Sequence, residues 1–344
     1  MCPFDPADVA PGGGDVPQAA VGKVPKAVPR PPEMAELRVR LGSMRIVTNP
    51  GCNLPAAAIR HFDLEICPQQ IVVDGVSHDT RAGIPYPVID GWVRTAGDFP
   101  HVVGTTAHEF AAIFARLAKE TREIVTILAS RKIIQTYGAA ASAARTLAAS
   151  AAFGKTPIHV VDCKMTDSGL GLFVLAASTM GEAGVPGYTI ARCLNMLAER
   201  SFFAFVPGTL DNLVKGGRAG WARAQMADFF NIKPIIAFQD GELAQQGKVR
   251  GSGDVAGALV DMAVKRVGAA RKVWGAVFHT YADDTVARDV ASRLHKALPL
   301  TYATLRPLSS SIYLHAGPGA VGVAVLPMDD LPVDVPIPPD FAGP

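Results

Sequence analysis

Apolar residues in this chain alternate between short β-branched runs and amphipathic segments with helical spacing. Runs rich in valine and isoleucine predict strands at residues 45–48, 71–73, 124–128 and 158–161. Apolar residues spaced i, i+3, i+4 and i+7 predict helices at 110–117 and 190–197. Strands that alternate with helices in this way are typical of a parallel sheet covered by helices.

The pattern changes near residue 200. Strands are predicted at 202–206 and 232–238, and Asp240 and Gly241 predict a tight hairpin turn because both tolerate a positive φ. Helices at 255–267 and 285–298 and strands at 273–279 and 301–305 follow. We therefore predict a two-domain α/β fold. The N-terminal domain (44–200) has a mostly parallel sheet flanked by helices, and the C-terminal domain (201–327) is mixed α/β.

Proline is concentrated at both ends of the chain. Of the 27 prolines, eight lie in residues 1–43 and five in residues 328–344, where four aspartates also occur without a base. Proline lacks the N–H that helices and sheets need. We expect a Pro/Gly-rich N-terminal extension and an acidic Pro-rich tail, both mobile; an arm packed on a neighbouring subunit is the alternative.

Composition and charge exclude several classes of protein. Hydrophobic residues make up 49% of the chain and charged ones 19%, which argues against wholesale disorder. A net charge of +2 gives no basic field for nucleic acid. The longest uncharged apolar stretch, 169–181, is too short to insert stably in a membrane, and residues 1–14 do not resemble a signal peptide. Five scattered cysteines without a C-x-x-C pair fit a reducing cytoplasm.

The glycine-rich motifs do not predict a cofactor site. Residues 317–322 match G-x-G-x-x-G, but the proline-rich tail follows and leaves no room for a βαβ unit. Residues 251–256 match a looser form, yet they follow a hairpin arm, and Asp254 is better explained as a helix cap. No P-loop, H-E-x-x-H, G-x-S-x-G or metal-spaced cluster occurs in the sequence. We predict no cofactor and no metal.

Three polar groups in apolar or glycine-rich surroundings are candidates for ligand binding. Thr105 and Thr106 precede a predicted helix, where free N–H groups and two hydroxyls could bind an anion; a plain N-cap would explain one of them. His315 follows residues 312–314, which we interpret as extended, and could bind a carboxylate or be a satisfied core histidine. Lys215 and Arg218 lie in a cationic loop that suits a phosphate or an acidic partner, or is a solvated turn.

These residues, in this order, resemble the DegV family of fatty-acid-binding proteins over residues 44–325. The strongest match is the run TLDNLVKGGR at 209–218, followed by NIKPII at 231–236, Asp240-Gly241, and KVR at 248–250. Asn53-Leu54-Pro55 near the start and LHAGPGA at 314–320 also match. The resemblance implies a fatty acid bound between two domains. It also implies a bacterial, non-enzymatic carrier in lipid transport and phospholipid metabolism, which presents its ligand to a separate ATP-dependent fatty acid kinase subunit.

The resemblance also implies which residues contact the ligand and which contact the partner. Ligand contacts would come from the following residues: Thr105, Thr106, Thr136, His315, Gly317 and Gly319. Lys215 and Arg218 would meet the partner. Two departures stand out: Ile134 replaces a family serine, and Asn49-Pro50 stands where the family has Asp-Ser.

Three other functions fit the sequence. A small-molecule enzyme could place Thr105, Thr106 and His315 around a substrate anion, and a binding protein on the same fold could take a ligand other than a fatty acid. An interaction scaffold would lack a pocket of acyl length. Chemical identification of the ligand would distinguish these functions from the carrier.

Overall fold

The computed structural model describes residues 44–150, 156–221, 232–251, 253–280 and 284–341. Within these ranges there are thirteen strands: β1 (Met44–Thr48), β2 (Glu65–Ile66), β3 (Gln70–Val73), β4 (Val76–Asp79), β5 (His101–Val103), β6 (Glu123–Leu128), β7 (Ile158–Asp162), β8 (Phe202–Val206), β9 (Ile232–Gln239), β10 (Glu242–Arg250), β11 (Val273–His279), β12 (Leu300–Pro307) and β13 (Val321–Pro327). The same ranges contain ten α-helices: α1 (Ala56–His61), α2 (Tyr86–Thr95), α3 (Ala107–Leu117), α4 (Thr136–Ala148), α5 (Asp167–Glu182), α6 (Gly187–Arg200), α7 (Asp211–Lys215), α8 (Val255–Val267), α9 (Thr285–Ala297) and α10 (Ser310–Ala316).

Four strands form a parallel sheet in the order β2-β1-β6-β7. Its side chains alternate between two layers, as the period of two in a strand requires. Val47, Ile124 and Leu128 pack against α3 and α4. Ile46 and Val125 pack on the opposite side, where α5 and α6 lie. The predicted parallel sheet with covering helices is confirmed.

A small antiparallel sheet, β4-β3-β5, contains the strand predicted at residues 71–73. The strand exists, but it does not join the parallel sheet. The reason is the two-residue turn between β3 and β4, where Asp74 has φ 47° and Gly75 has φ 81°. Such a turn joins adjacent antiparallel strands, so β3 pairs with β4.

The second half of the chain forms a six-stranded sheet in the order β10-β9-β8-β13-β11-β12. Only the β11-β12 pair is parallel among these described strands. The predicted hairpin turn is confirmed, with Asp240 at φ 47° and Gly241 at φ 82°. Helices α8 and α9 cover one face of this sheet. The predicted mixed α/β arrangement is therefore also confirmed.

Helix α5 lies between the two large sheets. Its residues from Asp167 to Met180 are all buried, and it contacts strands of both sheets. Gly171 allows the close packing, because a Cβ there would stand 2.5 Å from the backbone oxygen of Cys52. A helix that is apolar on every side must be buried. Over the ranges described, no helix is long and apolar enough to cross a membrane.

Residues 328–341 run along the body of the protein. Met328 and Val335 are buried in the core, and the Phe341 ring packs on Phe62 at 5.5 Å. Asp329 accepts a hydrogen bond from the backbone of Arg271. This stretch is thus an arm packed on the chain itself, and our expectation of a mobile tail is wrong for it. The N-terminal extension lies outside the described residues, and the domain boundary near residue 200 stays a prediction.

Candidate ligand-binding site

An apolar cavity, partly open to solvent, lies between the parallel sheet and the mixed sheet; the cavity and its open mouth together hold about 720 Å³ of empty space. Its lining includes residues that follow the carboxyl ends of three parallel strands: Asn49 and Gly51 after β1, Ala129, Ile133 and Ile134 after β6, and Thr166 after β7. This edge of a parallel sheet is where α/β proteins commonly bind ligands.

Four phenylalanines of the mixed sheet form the opposite side of the cavity. Phe203 and Phe205 lie two residues apart on β8 and therefore face the same way; Phe238 and Phe278 come from β9 and β11. The ring of Phe203 stacks on that of Phe278 at 4.6 Å and meets that of Phe238 edge-on at 5.3 Å. Aromatic pairs of these geometries pack stably.

Helix α10 carries His315 into the cavity. We predicted residues 312–314 to be extended, and this is wrong, because they lie in α10. A short buried apolar run has no periodicity that separates strand from helix. The helix ends at Ala316 and is followed by Gly317 as its C-cap, whose φ of 70° suits glycine.

The start of α10 is fixed by Asp167, a fully buried carboxylate at the beginning of α5. The backbone N–H and hydroxyl of Ser309 donate to its Oδ2 at 2.9 and 2.7 Å. Asn53 Nδ2 donates to Oδ1 at 2.9 Å, and the N–H and hydroxyl of Ser168 donate at 2.8 and 3.0 Å. Burial raises the pKa of Asp167, and these hydrogen bonds oppose that shift. The carboxylate therefore ties α5 to α10.

His315 is 8% exposed, and neither ring nitrogen has a hydrogen-bond partner among the described residues. Burial, followed by the positive charge of Arg218, lowers its pKa from 6.5 to about 3. The imidazole is therefore neutral at pH 7 and has one N–H to donate. Gly216 packs on the ring so closely that any Cβ there would overlap Nδ1.

Arg218 is half-buried and lines the same cavity. Its Nη1 donates to the backbone oxygen of Gly216 at 2.9 Å. In the part of the chain that the structure describes, no carboxylate lies within ion-pair distance of Arg218, and burial lowers the pKa of its guanidinium. Two donors with unused capacity, His315 and Arg218, therefore meet at an apolar cavity. The predicted contact of Arg218 with a partner stays a prediction.

The predicted threonine pair lies beside the cavity rather than in its lining. Thr105 is buried, and its hydroxyl donates to the backbone oxygen of Pro68. Thr106 is the exposed N-cap of α3, in a capping box in which its hydroxyl accepts from Glu109 N at 3.3 Å. The N-cap that the sequence allowed for one threonine is therefore Thr106.

The other predicted residues have separate positions. Thr136 is buried in the first turn of α4, and its hydroxyl has no partner among the residues described. Gly317 accepts a hydrogen bond from Thr280 Oγ1 at 2.8 Å, and Gly319 has φ 86°, so both shape the turn into β13. Lys215 is exposed and pairs with Asp211 at 2.6 Å. None of these four residues borders the cavity.

Several lining residues were missed as ligand contacts. Asn49 and Gln69 are buried and joined by a hydrogen bond of 3.1 Å, and Ser311 of α10 lies in the same lining. Asn49 directly follows a buried parallel strand, a position that sequence reasoning could have used. Ile134, which stands in place of a family serine, contributes an apolar side chain to the wall.

The glycine motifs have structural roles. Asp254 caps α8, and its side chain accepts from Gly257 N at 2.9 Å, as predicted. Of residues 317–322, the first four turn the chain between α10 and β13, and the last two begin β13. Across the described ranges, no group of three or more His, Cys, Asp or Glu side chains is arranged to hold a metal ion.

The low pKa of His315 makes a testable contribution to stability. Between pH 6.5 and about 3 the unfolded chain binds a proton at this position and the folded chain does not, so stability is lost as the pH falls through that range. The free energy of unfolding decreases as the pH falls from about 7 to about 4.5. We expect this decrease to be smaller in His315→Leu than in the wild type by on the order of 2 kcal/mol. Urea unfolding of the ligand-free proteins at several pH values measures this decrease. Exposed His101→Gln is the control, and parallel pH curves for His315→Leu and the wild type would contradict the expectation.

The fold and the cavity together define an α/β protein with an apolar cavity between two sheets. A family model described as "Uncharacterised protein, DegV family" matches residues 43–328. The chain belongs to the DegV family.

Known proteins resemble the chain over most of its length. A DegV domain-containing protein of Mycobacterium bovis is 29% identical over 283 residues, which cover 81% of this chain and 96% of that protein. A solved structure described as fatty acid binding of a DegV family protein from Thermus thermophilus has a TM-score of 0.72 at 23% identity and covers 83% of this chain and 99% of its own. A stearic acid-binding protein from Eubacterium ventriosum has a TM-score of 0.71 at 21% identity and covers 83% and 98%.

Proposed function

We propose that this protein binds a long-chain fatty acid in the apolar cavity. The observation that carries the proposal is the pairing of phenylalanine walls with two donors that have unused capacity, His315 and Arg218. Each methylene removed from water contributes about 0.8 kcal/mol. The desolvation cost of the carboxylate is offset by charge-assisted hydrogen bonds from these two residues. The descriptions of the Thermus and Eubacterium proteins, which share this fold, support the same ligand class.

The predicted threonines and glycines lie around the proposed site, outside the lining of the cavity. Thr136 has a buried hydroxyl without a partner in the described chain, and both Thr136 and Ile134 of the cavity wall lie against Gly104. We expect it to reach the carboxylate region. Thr105 and Thr106 hold the adjacent loop through Pro68 and Glu109, and Gly317 and Gly319 set the path of the chain after His315.

We further propose that the protein is a non-enzymatic carrier in the cytoplasm that presents the carboxylate to a separate ATP-dependent kinase subunit. Arg218 lines the cavity, and exposed Lys215 lies three residues earlier in the chain, so this edge of the cavity faces the surface. A cationic edge beside the carboxylate suits an acidic or phosphate-bearing partner.

The direct test is to identify what the purified protein contains. We expect denaturation, extraction with organic solvent and mass spectrometry to recover about one long-chain fatty acid per chain, because the lost methylene burial opposes its release. A different carboxylated or phosphorylated compound would mean that the site takes another ligand. A protein that yields no lipid and does not bind added palmitate would contradict the proposal.

A further inference from the structure

Two phenylalanine rings separate the apolar cavity from a second cleft. The second cleft has about 560 Å³ of empty space and lies beside the hairpin turn at Asp240 and Gly241. Phe203 and Phe238 line both spaces. Phe205 lines only the first. The cavity is therefore closed on this side by Phe203 and Phe238, which we name the aromatic partition.

The two sides of the partition differ in polarity. The second cleft is lined by charged groups, including Arg266 and an ion-paired cluster in which Lys164 Nζ lies 2.7 Å from both Glu199 and Asp240. An acyl chain that passed the rings would displace water from these charges, which is costly. The cavity side offers mainly apolar contacts. The partition therefore marks the end of the favourable environment for a methylene chain.

The two rings of the partition differ in burial and in packing. Phe203 is 2% exposed and stacked on Phe278. Phe238 is only half-buried, next to the hairpin turn, and pairs in register with Leu243. The turn is fixed to the parallel-sheet side by Ser130, whose hydroxyl donates to the Gly241 oxygen at 2.6 Å. Phe238 is thus the member that can be replaced with least disturbance of the core.

We propose that Phe203 and Phe238 limit the length of the bound acyl chain, and that Phe238 is the length-determining residue. This inference rests on the proposed fatty-acid binding. The carboxylate lies at His315 and Arg218, and the chain extends along the phenylalanine wall until its methyl end meets the partition. Unbranched acids longer than this span must fold back or enter the charged cleft.

The test compares the affinities of myristate, palmitate, stearate, arachidate and behenate by displacement of a fluorescent fatty acid. For the wild type we expect affinity to rise about fourfold per methylene, equivalent to about 0.8 kcal/mol, up to one length and then to fall. Phe238→Ala frees the volume of one ring before the charged cleft begins, so its optimum should move to longer acids and the arachidate-to-palmitate affinity ratio should rise about tenfold. Phe238→Trp should move the optimum to shorter acids. Phe205→Ala enlarges the cavity without opening the partition and should leave the optimum in place.

The outcomes separate this inference from the function on which it rests. An unchanged optimum in both Phe238 variants, with melting temperatures near that of the wild type, overturns the assignment of Phe238. An equal shift in Phe205→Ala also overturns it, because cavity volume alone would then explain the change. If Phe238→Ala does not fold, the shift in Phe238→Trp decides. A wild type that binds none of the acids overturns the proposed function, and this inference with it.

Discussion

Replacement of Arg218 by methionine is expected to weaken fatty-acid binding by about 10- to 100-fold. A hydrogen bond to a charged group contributes about 1.5–3 kcal/mol, and the guanidinium of Arg218 has no carboxylate partner in the described structure. Methionine keeps an unbranched apolar side chain, so the wall of the cavity is preserved. The dissociation constant of palmitate, measured by displacement of a fluorescent fatty acid, gives the size of the effect.

The free energy of unfolding of ligand-free Arg218→Met should be higher than that of the wild type or equal to it. Burial disfavours the charge of Arg218, so its removal ends a desolvation cost in the ligand-free protein. Weaker binding together with an undiminished melting temperature would therefore distinguish loss of a contact from misfolding. Wild-type affinity in Arg218→Met would mean that the carboxylate lies elsewhere.

Lys215→Met is the matched control from the same loop. Lys215 is exposed and paired with Asp211, so fatty-acid affinity should stay within about twofold of the wild-type value. If the kinase proposal holds, this variant should instead lower acyl phosphate formation in the presence of the kinase subunit and ATP. The two variants thus separate ligand binding from partner binding.

Asp167→Ala is expected to destabilise the protein by about 3–5 kcal/mol. The carboxylate accepts five hydrogen bonds, from Asn53, Ser168 and Ser309, and alanine leaves these donors without an acceptor. Asp167 also has φ 49°, a conformation that alanine adopts with strain. Urea unfolding monitored by circular dichroism measures the loss.

Asparagine is the informative comparison at this position. It tolerates a positive φ and keeps one oxygen acceptor, so Asp167→Asn should lose less stability than Asp167→Ala. Because Ser309 is the N-cap of the helix that carries His315, palmitate affinity should fall in both variants. A loss below about 1 kcal/mol in Asp167→Ala would contradict the role of this network.

Periodicity predicted most elements of the fold because their residues bury one face against a neighbouring layer. The helical spacing at 110–117 and the run at 124–128 correspond to α3 and β6. Residues 312–314 were predicted wrongly because they are buried on several sides and carry no period. The position of β3 depended on Asp74 and Gly75, a hairpin signal as strong as the one recognised at Asp240 and Gly241.

The candidate site was only partly readable from the sequence. His315 was identified, but its lack of a hydrogen-bond partner depends on how α10 packs. The role of Thr106 was readable, since Thr106 followed three residues later by Glu109 is a capping-box signature. The position of Arg218 in the cavity depends on tertiary packing of its loop, and the phenylalanines of the mixed sheet look like ordinary core residues in sequence.

The complete enclosure of α5 affects how the protein opens. Its backbone amides can exchange hydrogen with solvent only when both sheets separate from it, so they belong to the most slowly exchanging part of the described chain. The parallel and mixed sheets each lose a covering layer when the other unfolds. We therefore expect the unfolding of the two sheets to be coupled, and a fragment cut near residue 200 would expose to water the face of α5 that the mixed sheet covers.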